Sequence, residues 1–470
     1  MNGEEMTAVE TLIRDLNTTD VELLDLSDEL DGEIAVPSDE RWDAARQAWN
    51  LAVRQHPRAV ALPESPEDIV TIVRFARDRG LRVAAQGTGH GAASLGPLKH
   101  TILIKTERMR EVDIDPNART ARVEAGVVWE EVVRAAAEHG LAPLAGSSPD
   151  VGVVGYTLGG GLSWLSRKHG LAANQVTAVE LVTADGRFLR VDREHEPDLF
   201  WALRGGGGSF GVVTAIEFAL HPVAHVYAGI LWWPIERAEE ILQAWRELTE
   251  LDIPDELTTV GRVMQFPPLP HVPEHLRGQG FVLVETVFLG DPEEGDAWLA
   301  SLRELDPVMD TMRVTSTVEL LKLHMDPEHP VPGAGDGMLL AELSVEAVRA
   351  LAELVPGSPL LSVEIRHLGG ELARPSAANG ALSCVDADYS VFAVGAAPTP
   401  GFQQTVERHV AEIQAALAPW EADRTYLNFA ANRLAAEAFF TETARRRLRR
   451  VKATYDPHDV VRSNQPIDAA

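Results

Sequence analysis

From about residue 55 to residue 223, short apolar runs alternate with segments whose apolar residues recur at helical spacing. Ala59 to Leu62 reads as a buried strand closed by Pro63. Ser65-Pro66-Glu67-Asp68 is a helix start: a capping hydroxyl, a proline at the first position and two acids facing the dipole. Ile69, Ile72, Val73 and Ala76 carry that helix on until Gly80. Leu81 to Gln86 reads as another buried strand, followed by strands at Thr101 to Ile104, Val112 to Ile114 and Thr120 to Glu124. Trp129 to His139 is a helix closed by Gly140. Val176 to Thr183 and Phe188 to Val191 form a hairpin around Asp185-Gly186, a favourable turn pair. Val212 to Leu220 is a long alternating strand.

The pattern differs on either side of this block. Residues 1 to about 30 are acidic, with Leu12, Leu16, Leu23 and Leu24 marking a helix or two. An amphipathic helix is expected around Trp42, Ala45, Trp49 and Val53. From about 224 to 420, alternating segments recur at Ala228 to Trp233, Phe281 to Phe288, Leu360 to His367 and Val391 to Gly395, with helical patterns such as Ala238 to Leu251 between them. That texture predicts an antiparallel sheet backed by helices. Pro267 to Pro270 and Pro330 to Gly337 read as loops. The tail holds a strand-like Tyr426 to Phe429, a basic helix from about Ala431 to Thr454, and Tyr455-Asp456-Pro457. The expected organisation is an extension at 1–31, a mixed unit at 32–223, a sheet-and-helix unit at 224–420, and a C-terminal segment at 421–470.

Composition narrows the function more than the fold. A chain of 470 residues with 45% hydrophobic positions buries several cores without a disulfide or metal staple. The net charge of −29 argues against a nucleic-acid partner and against docking on anionic lipid. One cysteine, Cys384, allows neither an internal disulfide nor a cysteine-rich metal site. No His/Glu metal spacing appears. The N-terminus lacks a basic start followed by an apolar run, and no apolar stretch is long enough to span a bilayer. A cytoplasmic protein without a membrane partner is the expectation.

Three glycine-rich segments suggest a ligand: Gly87-Thr88-Gly89-His90-Gly91, the run from Gly152 through Gly155 to Gly159-Gly160-Gly161, and Gly205 to Gly211. Glycine lets backbone approach a ligand closely, and successive N–H groups cradle a pyrophosphate. Turn packing alone is the plainer alternative. A dinucleotide fingerprint is a poor match, because the third segment leads into a strand and no convincing helix follows the first. No Gly-Lys-Ser/Thr closes a phosphate loop.

The glycine segments belong to longer motifs. These are Ala85-Gln86-Gly87-Thr88-Gly89-His90-Gly91, Gly146-Ser147-Ser148-Pro149-Asp150-Val151-Gly152, and Gly159-Gly160-Gly161 with Leu165 to Leu171. Asp198 to Gly207, Tyr426-Leu427-Asn428 and Tyr455-Asp456-Pro457 continue them. In these motifs the chain resembles the FAD-linked oxidases of the vanillyl-alcohol-oxidase superfamily, within it the berberine-bridge-enzyme-like group, over about residues 32 to 468.

The resemblance implies an α+β fold: a two-lobed FAD-binding domain, a substrate domain whose antiparallel sheet roofs the flavin, and a C-terminal return to the FAD-binding domain. It implies FAD held by Gln86, Gly87, Thr88, Gly89, His90, Gly91, Ser147, Ser148, Val151, Gly152, Gly155, Tyr156, Gly159, Gly160, Gly161, Leu165, Gly170, Leu171, Gly211, Val212, Val213, Tyr426 and Asn428. His90 stands at the covalent attachment position, where a neutral imidazole bonds the flavin 8α-methyl carbon. Some relatives add a cysteine link; Ser148 stands there, so one link through His90 is expected. Val151 resembles the residue of oxygen-using members. Tyr156 replaces a histidine of many relatives, and its phenol is a candidate donor to developing negative charge.

The implied activity is oxidation of a small organic alcohol, amine or polyketide-like metabolite, with O2 reoxidising the flavin to give H2O2. A dehydrogenase with another acceptor, an oxygenating enzyme and a non-catalytic metabolite-binding flavoprotein stay open. Tyr426 is the leading base or substrate anchor, sharing a strand face with Asn428. On Val363-Glu364-Ile365-Arg366-His367, His367 with Ile365 is the preferred pocket face; otherwise Glu364 and Arg366 are there, or all are surface charges.

Overall fold

A computed structural model describes residues 18–270 and 272–469. Leu12 and Leu16 therefore lie outside the described residues. Leu23 and Leu24 lie on a helix, Thr18–Ser27, whose Leu23 and Leu26 are buried against Ile34, Ile69 and Phe75.

The chain builds three sheets. The first has four strands in the order Glu33–Ala35, Ala59–Leu62, Thr101–Lys105, Arg82–Gln86, with the last three parallel. The helix Pro66–Asp78 packs on it, and the Ser65 hydroxyl accepts from the Asp68 amide as expected of the cap. The second sheet has five antiparallel strands, with Val212–Ala219 at its centre. Val83 pairs across to Val461, so the end of the chain closes the first sheet.

The third sheet has eight strands, and every pairing in it is antiparallel. Side chains alternate across it, which gives the two faces different chemistry. One face carries Trp233, Val263, Val363, Ile365 and Val391 and is covered by the helices Ala238–Thr249, Val345–Leu354 and Pro400–Leu417. On the other face, Val260 and Val287 pack on Trp164, Leu165 and Ala172. That second face therefore looks onto the segment that follows the triple glycine.

Four local expectations change. The helix around Trp42 stops at Ala45, because Trp49 is drawn away: its amide donates to the Thr88 carbonyl at 2.9 Å. Gly333–Leu340 is an edge strand paired with Tyr389–Ala396, not a loop. Its glycines suit the crowding, since a Cβ at Gly335 would sit 2.5 Å from the Ala393 carbonyl oxygen. Tyr426 to Phe429 is not a strand but an extended residue followed by a single 3₁₀ turn, and the basic helix spans only Glu442–Tyr455.

Candidate active site

The glycine segments lie side by side. An added Cβ on Gly152 would touch Thr88 at 3.7 Å, and the Gly207 amide donates to the Leu158 carbonyl at 3.0 Å. Gly89 has φ +92°, and a Cβ there would lie 2.9 Å from Gln86 Nε2. No larger residue takes that conformation without strain. Gly152 caps the helix Val153–Leu158, and Gly155 faces open space.

His90 sits in the first loop between three side chains. Its ring stacks on Trp49, with centroids 4.1 Å apart, and Nδ1 is 2.7 Å from Thr88 Oγ1. Nε2 is 3.5 Å from Asp150 Oδ1 without forming a hydrogen bond, so both atoms stay buried and unpartnered. The Trp49 indole donates to the other Asp150 oxygen. Burial pushes the Asp150 carboxyl up, but His90 and Trp49 outweigh it and hold the group below its usual pKa.

The remaining predicted residues divide between contact and packing. Ser147 and Ser148 both donate to Asp326 Oδ2 at 2.9 Å, which ties the second loop to the third sheet's connections. The Val151 carbonyl accepts from the Trp129 amide. Leu165 and Leu171 are buried, Gly170 ends a short helix with φ +79°, and Gly211 leaves no room beside Leu181. Val212 and Val213 point into two apolar cores, so only their backbone is left for a ligand.

Tyr156 departs from the role expected of it. Its hydroxyl donates to the Leu144 carbonyl at 3.0 Å, which uses its one proton. Burial pushes its pKa well up. Tyr426 is 4% exposed, and burial drives its pKa above the usual tyrosine value although Gly161, Arg366 and Asn428 oppose this. A buried neutral phenol donates readily but makes a poor base. Asn428 spans the junction, donating to the Tyr156 carbonyl at 2.9 Å and touching the Tyr426 hydroxyl at 3.5 Å. A Cβ on Gly159 would run into Asn428, and one on Gly160 would lie 3.0 Å from the Tyr426 hydroxyl.

His367 falls on the wrong face of its strand for the preferred reading. Ile365 packs in the helix-backed core, and His367 leans on Tyr389 and on Arg167. Burial, with Arg167 nearby, lowers its pKa to about 3. The alternative pair, Glu364 and Arg366, faces the glycine side.

There they join a buried charge chain that no local motif announces. Arg262 pairs with Glu285 at 3.0 Å, Glu285 with His324 Nδ1 at 2.5 Å, His324 Nε2 with Glu364, and Glu364 with Arg366 through two bonds of 2.8 and 3.1 Å. All five residues are less than 9% exposed. Burial and Arg262 lower the His324 pKa, but Glu285, Glu364 and Asp326 prevail and raise it to about 9. Strand register brings Arg262 opposite Glu364, and Val260 opposite both Glu285 and Arg366, which sets the four strand residues on one face.

These residues suit a flavin nucleotide. Closely spaced glycines supply backbone N–H groups and open approach, while Gln86 Nε2, His90 Nε2, Asp150 Oδ1 and Thr157 Oγ1 are buried without partners. Among the described residues no helix is long and apolar enough to cross a membrane.

Comparison with known proteins agrees. Residues 57–192 match the family model described as FAD binding domain, and residues 425–468 the one described as berberine and berberine like. The chain is 34% identical over 205 residues to (R)-6-hydroxynicotine oxidase of Paenarthrobacter nicotinovorans, a stretch covering 43% of this chain and 45% of that enzyme. This aligned stretch is thus under half of the oxidase. An uncharacterized FAD-linked oxidoreductase of Bacillus subtilis (strain 168) is 26% identical, covering 93% of this chain and 97% of its own. The crystal structure of 6-hydroxy-D-nicotine oxidase from Arthrobacter nicotinovorans superposes with a TM-score of 0.79 at 27% identity, covering 92% of this chain and 96% of that one. Berberine bridge enzyme from Eschscholzia californica shares the fold, with a TM-score of 0.80 at 20% identity over 96% of this chain and 99% of its own. With an FAD binding domain at 57–192, a berberine-like segment at 425–468 and these full-length matches, the chain is an FAD-dependent oxidoreductase similar to the berberine-bridge-enzyme-like oxidases of the vanillyl-alcohol-oxidase family.

Proposed function

We propose that the protein is an oxidase of a small organic alcohol, amine or polyketide-like metabolite, with its flavin carried on one covalent link through His90. When bound, FAD supplies the acceptor for a substrate hydride and passes the electrons to O2, giving H2O2. The observation that carries this reading is His90 itself: a stacked imidazole in a glycine loop, with Nε2 buried, unpartnered and faced by a carboxylate. Stacking on Trp49 and contact with Thr88 hold the ring in one orientation, with Nε2 facing Asp150. Serine at position 148 supports a single link, since its hydroxyl is engaged with Asp326.

Tyr426 serves as a hydrogen-bond donor that anchors the substrate, because burial keeps its proton in place. Glu364 is saturated by Arg366 and His324 and is unsuited to accept a proton. Asp326 is half-buried at the same junction and takes two hydroxyl donors on Oδ2 only. We assign its Oδ1 to receive the substrate's proton. With Oδ2 held by the two serines, Oδ1 is the oxygen left to accept a proton.

The test begins with the purified protein denatured in acid. Flavin colour and an intact mass raised by one FAD should stay with the polypeptide, and both should vanish in His90→Ala. A screen of alcohols, amines and phenolic metabolites for peroxide release under air follows. Colour released by acid would defeat the covalent link. Reduction of the flavin by a substrate without peroxide would defeat the oxidase assignment in favour of a dehydrogenase.

A further inference from the structure

The buried charge chain on the third sheet alternates strictly in sign: Arg262, Glu285, His324, Glu364, Arg366. Both ring nitrogens of His324 lie against carboxylate oxygens, so both carry protons and the ring is a cation. Five members that begin and end on arginine leave three cations against two anions. At the first end Arg262 Nε donates to Ser362 Oγ at 2.7 Å and Nη1 reaches both Glu285 and the His324 carbonyl, which leaves Nη2 without a partner among the described residues. Arg366 spends Nε and Nη2 on Glu364, and its Nη1 has no partner among the described residues.

That end of the chain is also where the two halves of the molecule meet. The Arg366 guanidinium lies 5.6 Å from the Trp164 ring centre and 5.7 Å from that of Phe429. It acts electrostatically on the hydroxyls of Tyr156 and Tyr426. Tyr156 has spent its proton on Leu144, and Tyr426 has not. Asp326 is the further acid acting on both Arg366 and His324, but it makes no ion pair with Arg366 among the described residues and is engaged by Ser147 and Ser148. A guanidinium fixed at two nitrogens, free at the third and near two aromatic rings is a preorganised receptor for a planar oxyanion.

We propose that Arg366 receives an anionic oxygen of the substrate, a carboxylate or an ionised phenol or enol on a flat unsaturated group, with Tyr426 as the second donor. This deepens the proposed function and rests on its reading of the junction as the substrate site. The Arg262–Glu285–His324–Glu364 chain then has a positioning role: it pins the guanidinium and supplies the surplus charge.

The test uses the protein as purified and two flat probes that differ in charge, benzoate and benzamide, titrated by calorimetry at neutral pH. Flavin content is scored separately from the visible spectrum. Benzoate should bind at least about tenfold more tightly than benzamide, the advantage typical of a charged over a neutral hydrogen bond. Arg366→Met should erase that preference while leaving benzamide binding within about threefold, and Arg366→Lys should keep part of it. Equal binding of the two probes, no binding of benzoate, or a preference that survives in Arg366→Met overturns the proposal. Should Arg366→Met fail to fold, the wild-type preference decides together with His324→Gln. That variant should weaken benzoate, and an unchanged preference in it overturns the surplus-charge argument. Protein that folds without flavin defeats the flavin reading alone, because calorimetry still reports on Arg366.

Discussion

The His90 loop and the charge chain on the third sheet are built by opposite means. The loop is local: five consecutive residues and one nearby turn supply its backbone shape, and only Trp49 and Asp150 come from a distance. The chain is assembled from positions 262, 285, 324, 364 and 366, on three strands and the end of a short helix. The loop keeps polar atoms unpartnered, whereas the chain satisfies nearly all of its own. An unpaired buried polar atom costs stability, so its presence suggests a ligand; a saturated network suggests positioning.

The sharpest way to break this contrast is His90→Ala. It should remove covalent flavin completely, seen as loss of the bound mass and colour after acid, while the melting temperature of the flavin-free protein stays nearly unchanged. If that substitution unfolded the protein, the loop would be structural in the way the chain is.

Glu364→Ala should have the next largest effect, now on stability. It strands the buried Arg366 guanidinium and leaves the His324 ring with Glu285 alone, at a cost of about 3–5 kcal/mol. Urea unfolding would read this as a lower midpoint with little change in slope. A cost below about 1 kcal/mol would mean the chain is no more cohesive than a surface pair.

The pH dependence of stability tests His324 directly. Its folded pKa is raised from 6.5 to about 9, so its contribution is fully present below pH 6.5, declines as pH rises and is gone above about 9. The loss is on the order of 3 kcal/mol and should be absent from His324→Gln. Stability that holds flat from pH 6 to 9 would refute a protonated ring.

The smallest effect separates two glycines a few residues apart. Gly159→Ala drives a methyl into Asn428 and should cost about 1–3 kcal/mol. Gly155→Ala meets nothing within 4 Å and sits inside a helix, so it should leave the flavin-free protein unchanged or up to about 1 kcal/mol more stable. A fall in flavin content confined to Gly155→Ala would identify that face as ligand surface.

The helix Pro66–Asp78 was legible because its cap, proline and acids are adjacent in sequence. The strand Gly333–Leu340 was not, because a run of glycines after two prolines reads as a loop until its partner strand supplies the hydrogen bonds. The helix expected through Trp49 failed for a related reason: tertiary bonds to Thr88 and Asp150 outweighed apolar spacing.

The residues of this chain determined by themselves that it folds as an α+β protein with glycine loops able to hold a nucleotide and one histidine placed among them. Those properties depend on neighbours within a few positions, where backbone freedom and capping act. Only the tertiary structure decided which face of Ser362–His367 meets the glycine side. A strand offers two faces of equal reach, and choosing between them depends on what packs behind it. Here the aliphatic residues Val363 and Ile365 went to the helices, and that placed Glu364 and Arg366, rather than His367, opposite Trp164 and Tyr426.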